Sequence, residues 1–130
     1  MIGKVLDGSA LAALARGNVE AGAWLETAHA MASSLYVPQL AFTEVLTLYP
    51  SAAADLDDIR AHPSIMVKAM TPAEQAAVEQ LLATAGDGVF DVLAGHVVHV
   101  ATTRGWPVLT TDPTRLRRLA PDIEINLLRP

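Results

Sequence analysis

Asp91-Val-Leu-Ala-Gly-His-Val-Val-His-Val-Ala-Thr-Thr-Arg-Gly105-Trp-Pro-Val-Leu-Thr110-Thr111-Asp112 carries a helix, its stop, a strand and an acid in one pass. Residues 89–104 read as helix, and Gly105 ends it, as a glycine just past the last helical residue does. Trp106–Thr110 reads as a short apolar strand, and Asp112-Pro113 opens a short helix to about Leu119. The same alternation recurs outward. Upstream, Thr71-Pro72-Ala73-Glu74 is a capping box for a helix running to about Ala85 and Gly86. Ser64–Val67 is a strand, and Pro50-Ser51 restarts a helix that reaches about Ala61. Residues 39–49 are amphipathic, with Leu40, Val45, Leu48 and Tyr49 at helical spacing. Ser34–Val37 is a strand ended by Pro38. Residues 19–32 form a helix with Trp24, Leu25 and Ala28 on one face. Ser9 reads as the N-cap of the first helix, which carries Leu11 and Leu14. Ile2–Leu6 is an apolar strand broken only by Lys4 and ended by Asp7-Gly8. Downstream, Ile123–Leu128 closes the chain as a strand. Short apolar strands alternating with helices predict a three-layer α/β/α sandwich on a parallel sheet of about five strands.

Composition narrows what such a fold does. The chain has 130 residues, 52% apolar and 18% charged. Residues 1–130 are therefore expected to form one ordered domain, at the usual ~100–200 residues per domain. There is no cysteine, which excludes disulfide scaffolds, thiolate zinc sites and thiol nucleophiles. A net charge of -5 provides no global basic field for long duplex DNA, so a nucleic acid would be gripped locally. The N-terminus lacks the pattern of a signal peptide, and no apolar run approaches the ~18 residues of a membrane span. The expected location is the cytoplasm, with no membrane contact. No Gly-x-Gly-x-x-Gly, Walker or Gly-x-Ser-x-Gly pattern is present.

The acids fall at telling places. Ligands of open parallel sheets bind beyond the carboxyl ends of the strands. Asp7 follows the first strand, Asp112 follows the fourth, and Glu44 lies in the helix after the second. Asp91 lies in the first turn of the helix that leads into the fourth strand, and the topology permits it to join the others. Each has a duller role open to it: Asp7 as a turn residue, Asp91 as a complement to the helix dipole, Asp112 as an N-cap. Glu44 sits among Phe42, Val45 and Leu46, where an acid needs a partner or a job. Four convergent carboxylates at ~5 Å would repel by roughly 3 kcal/mol per pair at an effective dielectric near 20. The total, on the order of 20 kcal/mol, exceeds a domain's stability of ~5–15 kcal/mol. Protons or divalent cations must relieve it, and an all-oxygen donor set suits Mg2+ or Mn2+. Metal held this way suits phosphodiester hydrolysis.

These residues carry a family resemblance. Val5-Leu6-Asp7-Gly8-Ser9, Pro38-Gln39-Leu40-Ala41-Phe42-Thr43-Glu44-Val45 and the Asp91–Asp112 run together resemble a PIN-domain ribonuclease of the VapC toxin type. The resemblance covers essentially the whole chain. It implies a metal-dependent endoribonuclease, with Asp7, Glu44, Asp91 and Asp112 as catalytic and metal-binding acids and Ser9 and Thr110 as supporting hydroxyls. It further implies an Mg2+ or Mn2+ cofactor, an RNA substrate, a homodimer and a small cognate antitoxin. Thr114 and Arg115 stand where many relatives carry another acid, which bears on a second metal position.

Other features have two readings each. Arg115, Arg117 and Arg118 are either a solvated helix face or a rim that holds RNA phosphates. The Ala-rich faces of residues 39–60 are either core or a groove for a second copy or an antitoxin. His96 and His99 share a helix face, flank that of Asp91 and are expected to be packing or surface residues. A receiver-like phosphoacceptor domain would want paired acids near the first strand and a Lys after the last central strand, and the chain has only Lys4 and Lys68. A catalytically silent scaffold of the same fold, acting by protein binding, is the alternative function.

Overall fold

The structure, a computed structural model, describes residues 3–86 and 88–130. The chain runs β1 (Lys4–Leu6), α1 (Gly8–Ala15), α2 (Val19–Ala30), β2 (Leu35–Pro38), α3 (Gln39–Leu48), a 3-10 turn (Pro50–Ala52) and α4 (Ala53–Ala61). It continues through β3 (Ile65–Lys68), α5 (Pro72–Ala85), α6 (Val92–Arg104), β4 (Val108–Thr110), α7 (Pro113–Arg117) and β5 (Ile125–Leu127). The five strands form one sheet in the order β3-β2-β1-β4-β5, and every neighbouring pair is parallel. This is the α/β/α sandwich that the alternating pattern predicts. Ile2, the first residue of the expected opening strand, lies outside the described residues.

Burial follows strand position. The side chains of β2 and β4 are all buried, whereas the edge strands β3 and β5 are mostly half-buried or exposed. A central strand covered on both faces must be apolar throughout. Lys4 is the exception in β1. Its ammonium donates to Asn126 Oδ1 at 2.8 Å and lies 4.7 Å from the Trp24 ring centroid, so the charge is satisfied at the sheet's lower rim. Val5, Leu11, Leu35, Val37, Val97, Val108, Leu109 and Leu116 make the centre of the core.

Element ends differ from expectation by one to three residues, and two differences have a physical cause. Asp7, not Ser9, caps α1: its carboxylate accepts from Ala10 N–H, so the helix begins directly at Gly8. The fourth strand begins at Val108 rather than Trp106, because Pro107 has no N–H for the ladder; its carbonyl still accepts from Val5 N–H at 3.0 Å. Helix α6 holds in spite of four valines and two threonines, weak helix formers. Asp91 caps its start and Gly105, at φ 68°, caps its end; Leu93 through Val98, with Val100 and Ala101, are buried.

His96 belongs to this buried stretch and is 1% exposed. Its Nε2 lies 3.3 Å from the Tyr36 hydroxyl and 3.5 Å from a Glu74 carboxylate oxygen, and among the described residues its Nδ1 has no partner. Burial holds its pKa below the ordinary imidazole value, against the Glu74 charge and hydrogen bond, with His99 adding to the depression. The folded chain thus resists a proton that the unfolded chain accepts near pH 6.5. Stability from this site is present above that pH and lost below it, by at most about 1.4 kcal/mol per pH unit. Urea midpoints between pH 7.5 and 5.5 should fall more steeply for the wild type than for His96→Leu. Parallel slopes would place the sensitivity elsewhere.

Candidate active site at the carboxyl end of the sheet

The chain winds outward from β1 to β3, then crosses back to lay β4 on the other side of β1. The crevice outside the carboxyl ends of β1 and β4 is therefore the topological switch point. Asp7 leaves the end of β1, and Thr110 ends β4. Helix α3 brings Glu44 from beyond β2. Helix α6 precedes β4 and runs back across the sheet, which sets its N-terminus, with Asp91, at the same edge.

Asp7 is the fixed point. It is 2% exposed. Its Oδ1 accepts from Ser9 Oγ at 2.7 Å and Ala10 N–H at 2.9 Å; its Oδ2 accepts from Thr110 Oγ1 at 2.6 Å. Ser9 Oγ and Thr110 Oγ1 are 3.1 Å apart, and they accept in turn from the backbone N–H groups of Thr111 and Asp112, both at 2.9 Å. Two hydroxyls thus tie the end of β1 to the loop after β4. Burial raises the Asp7 pKa, against the lowering effect of Thr110, Ala10, Ser9 and the charge of Arg115.

Glu44 and Asp91 meet on one guanidinium. Arg115 Nη1 and Nη2 donate to the two Glu44 oxygens at 3.0 and 2.8 Å. Arg115 Nε and Nη2 donate to the two Asp91 oxygens at 2.6 and 2.9 Å. Both carboxylates are bidentate partners of a single planar fork, the geometry that distinguishes arginine from lysine. The hydrogen bonds to Asp91 and then to Glu44 raise the Arg115 pKa further above its ordinary value. Burial pushes Asp91 up, but the bonds from Arg115 and Ala94 N–H and the charges of Arg115 and Arg118 outweigh it, and its pKa is lowered. Repulsion by another acid is therefore not among the causes that shift Asp7 or Asp91. Asp7 is raised chiefly by desolvation, and Asp91 is lowered by an arginine.

Each acid can now be placed. Asp7 is a cap as well as a buried, hydroxyl-bound carboxylate. Asp91 caps α6 with Oδ1 while holding Arg115. Asp112 occupies the cap position of α7, yet its side chain makes no cap hydrogen bond and is exposed. Glu44 is half-buried and partnered. Arg117 and Arg118 are exposed, whereas Arg115 is half-buried and turned onto Glu44 and Asp91. Gly8 was legible only as part of a turn, but a side chain there would collide with Glu44 Oε2, so its bareness is what admits Glu44. A groove of about 320 Å3 opens from Ser9, Glu44 and Arg115 along α1 and α3 to Arg16 and Tyr49. A larger hollow of about 680 Å3, between the α1–α2 turn and Arg129, contains no group of convergent carboxylates.

The donors suit a hard divalent cation in kind, since all four are carboxylates. The demand for positive charge is visible in the guanidinium drawn between two of them. Among the described residues, however, no three acid or histidine side chains stand together as a metal site, and Arg115 holds Glu44 and Asp91.

The comparisons agree with this architecture. The PIN domain model matches residues 4–121. No curated protein gives a significant match. Among solved structures, one similar fold is that of VapBC2 from Rickettsia felis bound to a DNA fragment from their promoter. The identity is 10%, over 98% of this chain and 100% of that one, with a TM-score of 0.72. With the family model covering nearly the whole sheet and the acidic crevice at its switch point, the chain belongs to the PIN-domain family.

Proposed function

We propose that the protein is a metal-dependent endoribonuclease, a hydrolase of RNA phosphodiester bonds, and the toxin of a toxin–antitoxin pair. The observation that carries this is the gathering of Asp7, Glu44 and Asp91 about the β1–β4 crevice, with Asp112 at its rim. Mg2+ or Mn2+ bound by these carboxylates would supply Lewis acidity and a water of lowered pKa. The chain's own residues do the rest. Ser9 and Thr110 fix the Asp7 carboxylate in one orientation. Arg117 and Arg118 offer exposed cations to phosphates of an RNA strand. The adjoining groove offers Arg16 to the backbone and the exposed Tyr49 ring to a base, a pairing suited to single-stranded or looped RNA. The VapBC2 likeness supports a small antitoxin as partner. Exposed Leu40, Leu46 and Leu48 on α3 support an interface with another chain, an antitoxin or a second copy in a homodimer. No helix of the described residues is long and apolar enough to cross a membrane.

One observation favours a second reading, a silent scaffold that acts by protein binding: two of the four acids are engaged by Arg115. Cleavage of a labelled hairpin RNA in millimolar Mg2+ or Mn2+ separates the two. Activity should vanish in excess EDTA. Replacing both Arg117 and Arg118 with Ala should raise KM about tenfold or more with a smaller change in kcat, and should flatten the salt dependence of RNA binding. No cleavage with either ion would leave the scaffold reading, and cleavage that persists in EDTA would overturn the metal dependence.

A further inference from the structure

We propose that Arg115 is a built-in counter-ion that takes the place of one divalent cation in the acidic site, so that the protein loads a single ion rather than two. The inference rests on the metal-dependent reading above and concerns which cations that site holds.

Three observations point to a fixed occupant rather than a passing contact. All four Arg115–carboxylate hydrogen bonds lie between 2.6 and 3.0 Å, and they use both oxygens of Glu44 and both of Asp91. A guanidinium stays charged at every physiological pH, so its positive charge cannot be switched off to admit an ion. The residues at both ends of the bridge are themselves anchored. Leu116, next to Arg115, is 0% exposed, and Asp91 is tied to α6 through Ala94 N–H. Glu44 lies against Gly8 in space that any side chain there would fill.

The charge distribution follows. Glu44 and Asp91 are neutralised in part by a cation that the chain supplies. Asp7 and Asp112 are the acids to which, among the described residues, no cationic side chain donates. One divalent ion offsets the charges of Asp7 and Asp112, and a second would have to share Glu44 and Asp91 with a guanidinium. Repulsion between the two cations opposes that.

Mn2+ binding to the intact protein tests this without reference to activity. Equilibrium dialysis and calorimetry should give no more than one Mn2+ per wild-type chain at millimolar ion. Arg115→Ala should take up two, or one at least tenfold more tightly. Its melting temperature should fall in EDTA and recover with Mn2+ by a larger shift than the wild type shows. Should Arg115→Ala fail to fold without metal, Arg115→Lys keeps a charge but cannot bridge both carboxylates through paired bonds. It should also bind Mn2+ more tightly than the wild type. Two Mn2+ per wild-type chain, or wild-type affinity in both variants, would overturn the counter-ion role while leaving a metal enzyme. No Mn2+ bound by any of the three proteins would overturn the metal-dependent reading itself.

Discussion

Asp7→Asn should abolish RNA cleavage, lowering kcat/KM roughly a hundredfold or more, while the protein folds as well as the wild type. The loss is of the scale seen when one member of a site acting as a unit is removed. The retained stability follows from the surroundings. The amide oxygen can keep the bonds from Ser9 Oγ and Ala10 N–H that Oδ1 now accepts. The amide NH2 then faces Thr110 Oγ1, which has a lone pair to spare, since it accepts from Asp112 N–H and can turn its own proton away. Burial raises the Asp7 pKa, so a neutral side chain avoids a desolvation cost that the carboxylate bears at neutral pH. The linkage has a definite sign. The folded chain holds the Asp7 proton to higher pH than the unfolded one, so this residue adds stability below the ordinary aspartate value. That contribution is lost as pH rises through the folded pKa. Asp7→Asn should lack this dependence. Asp7→Ala is a different experiment: it strands the Ser9 and Thr110 hydroxyls and Ala10 N–H, at about 1–3 kcal/mol for each buried group left unsatisfied. Melting curves beside the cleavage assay distinguish them. Cleavage by Asp7→Asn within threefold of the wild type would remove Asp7 from the catalytic set.

Much of the frame behind that experiment is legible from local chemistry. The Thr71 capping box, the Gly105 stop and the apolar strand after it are decided by residues a few positions apart, and all appear in the structure. Glu44 is legible as an acid needing a partner, because Phe42 and Val45 on either side of it are core residues. Its partner is not legible, because Arg115 lies 71 residues away and reaches it only through the sheet order. One signal was available at Arg115. At about 100° per residue, positions 115 and 117 are about 200° apart on a helix, so those two arginines cannot share a face. Leu116 between them is buried, and Arg115 is the one that turns towards the acids. The meeting of Asp91 with Glu44 likewise required the strand order, since two helices separate β3 from β4 and no local rule fixes where the second begins.

Gly8→Ala should cost little stability and at least tenfold in cleavage. The new Cβ would fall on Glu44 Oε2, with Glu44 Cδ at 3.0 Å and Leu93 Cδ2 at 3.4 Å. The colliding atom is the far end of a long side chain, so Glu44 can swing aside, at the expense of its bonds from Arg115, without moving the backbone. The overpacking cost should stay near the low end of the ~1–3 kcal/mol range. Part of it is offset because alanine at the first position of α1 loses less backbone entropy than glycine. What cannot be kept is the alignment of the Glu44 carboxylate on Arg115, at 2.8 and 3.0 Å. Displacement of a site group by about 1 Å is enough for losses up to ~100-fold. Gly22→Ala is the control: Gly22 also lies in a helix, nothing stands within 4 Å of its would-be Cβ, and it touches no part of the site. It should gain up to about 1 kcal/mol of stability and cleave RNA at the wild-type rate. The pair separates helix propensity from site geometry, because both exchanges are glycine to alanine and only one meets a carboxylate. If both variants cleave as the wild type does, Glu44 tolerates displacement and its role is confined to balancing the charge of Arg115.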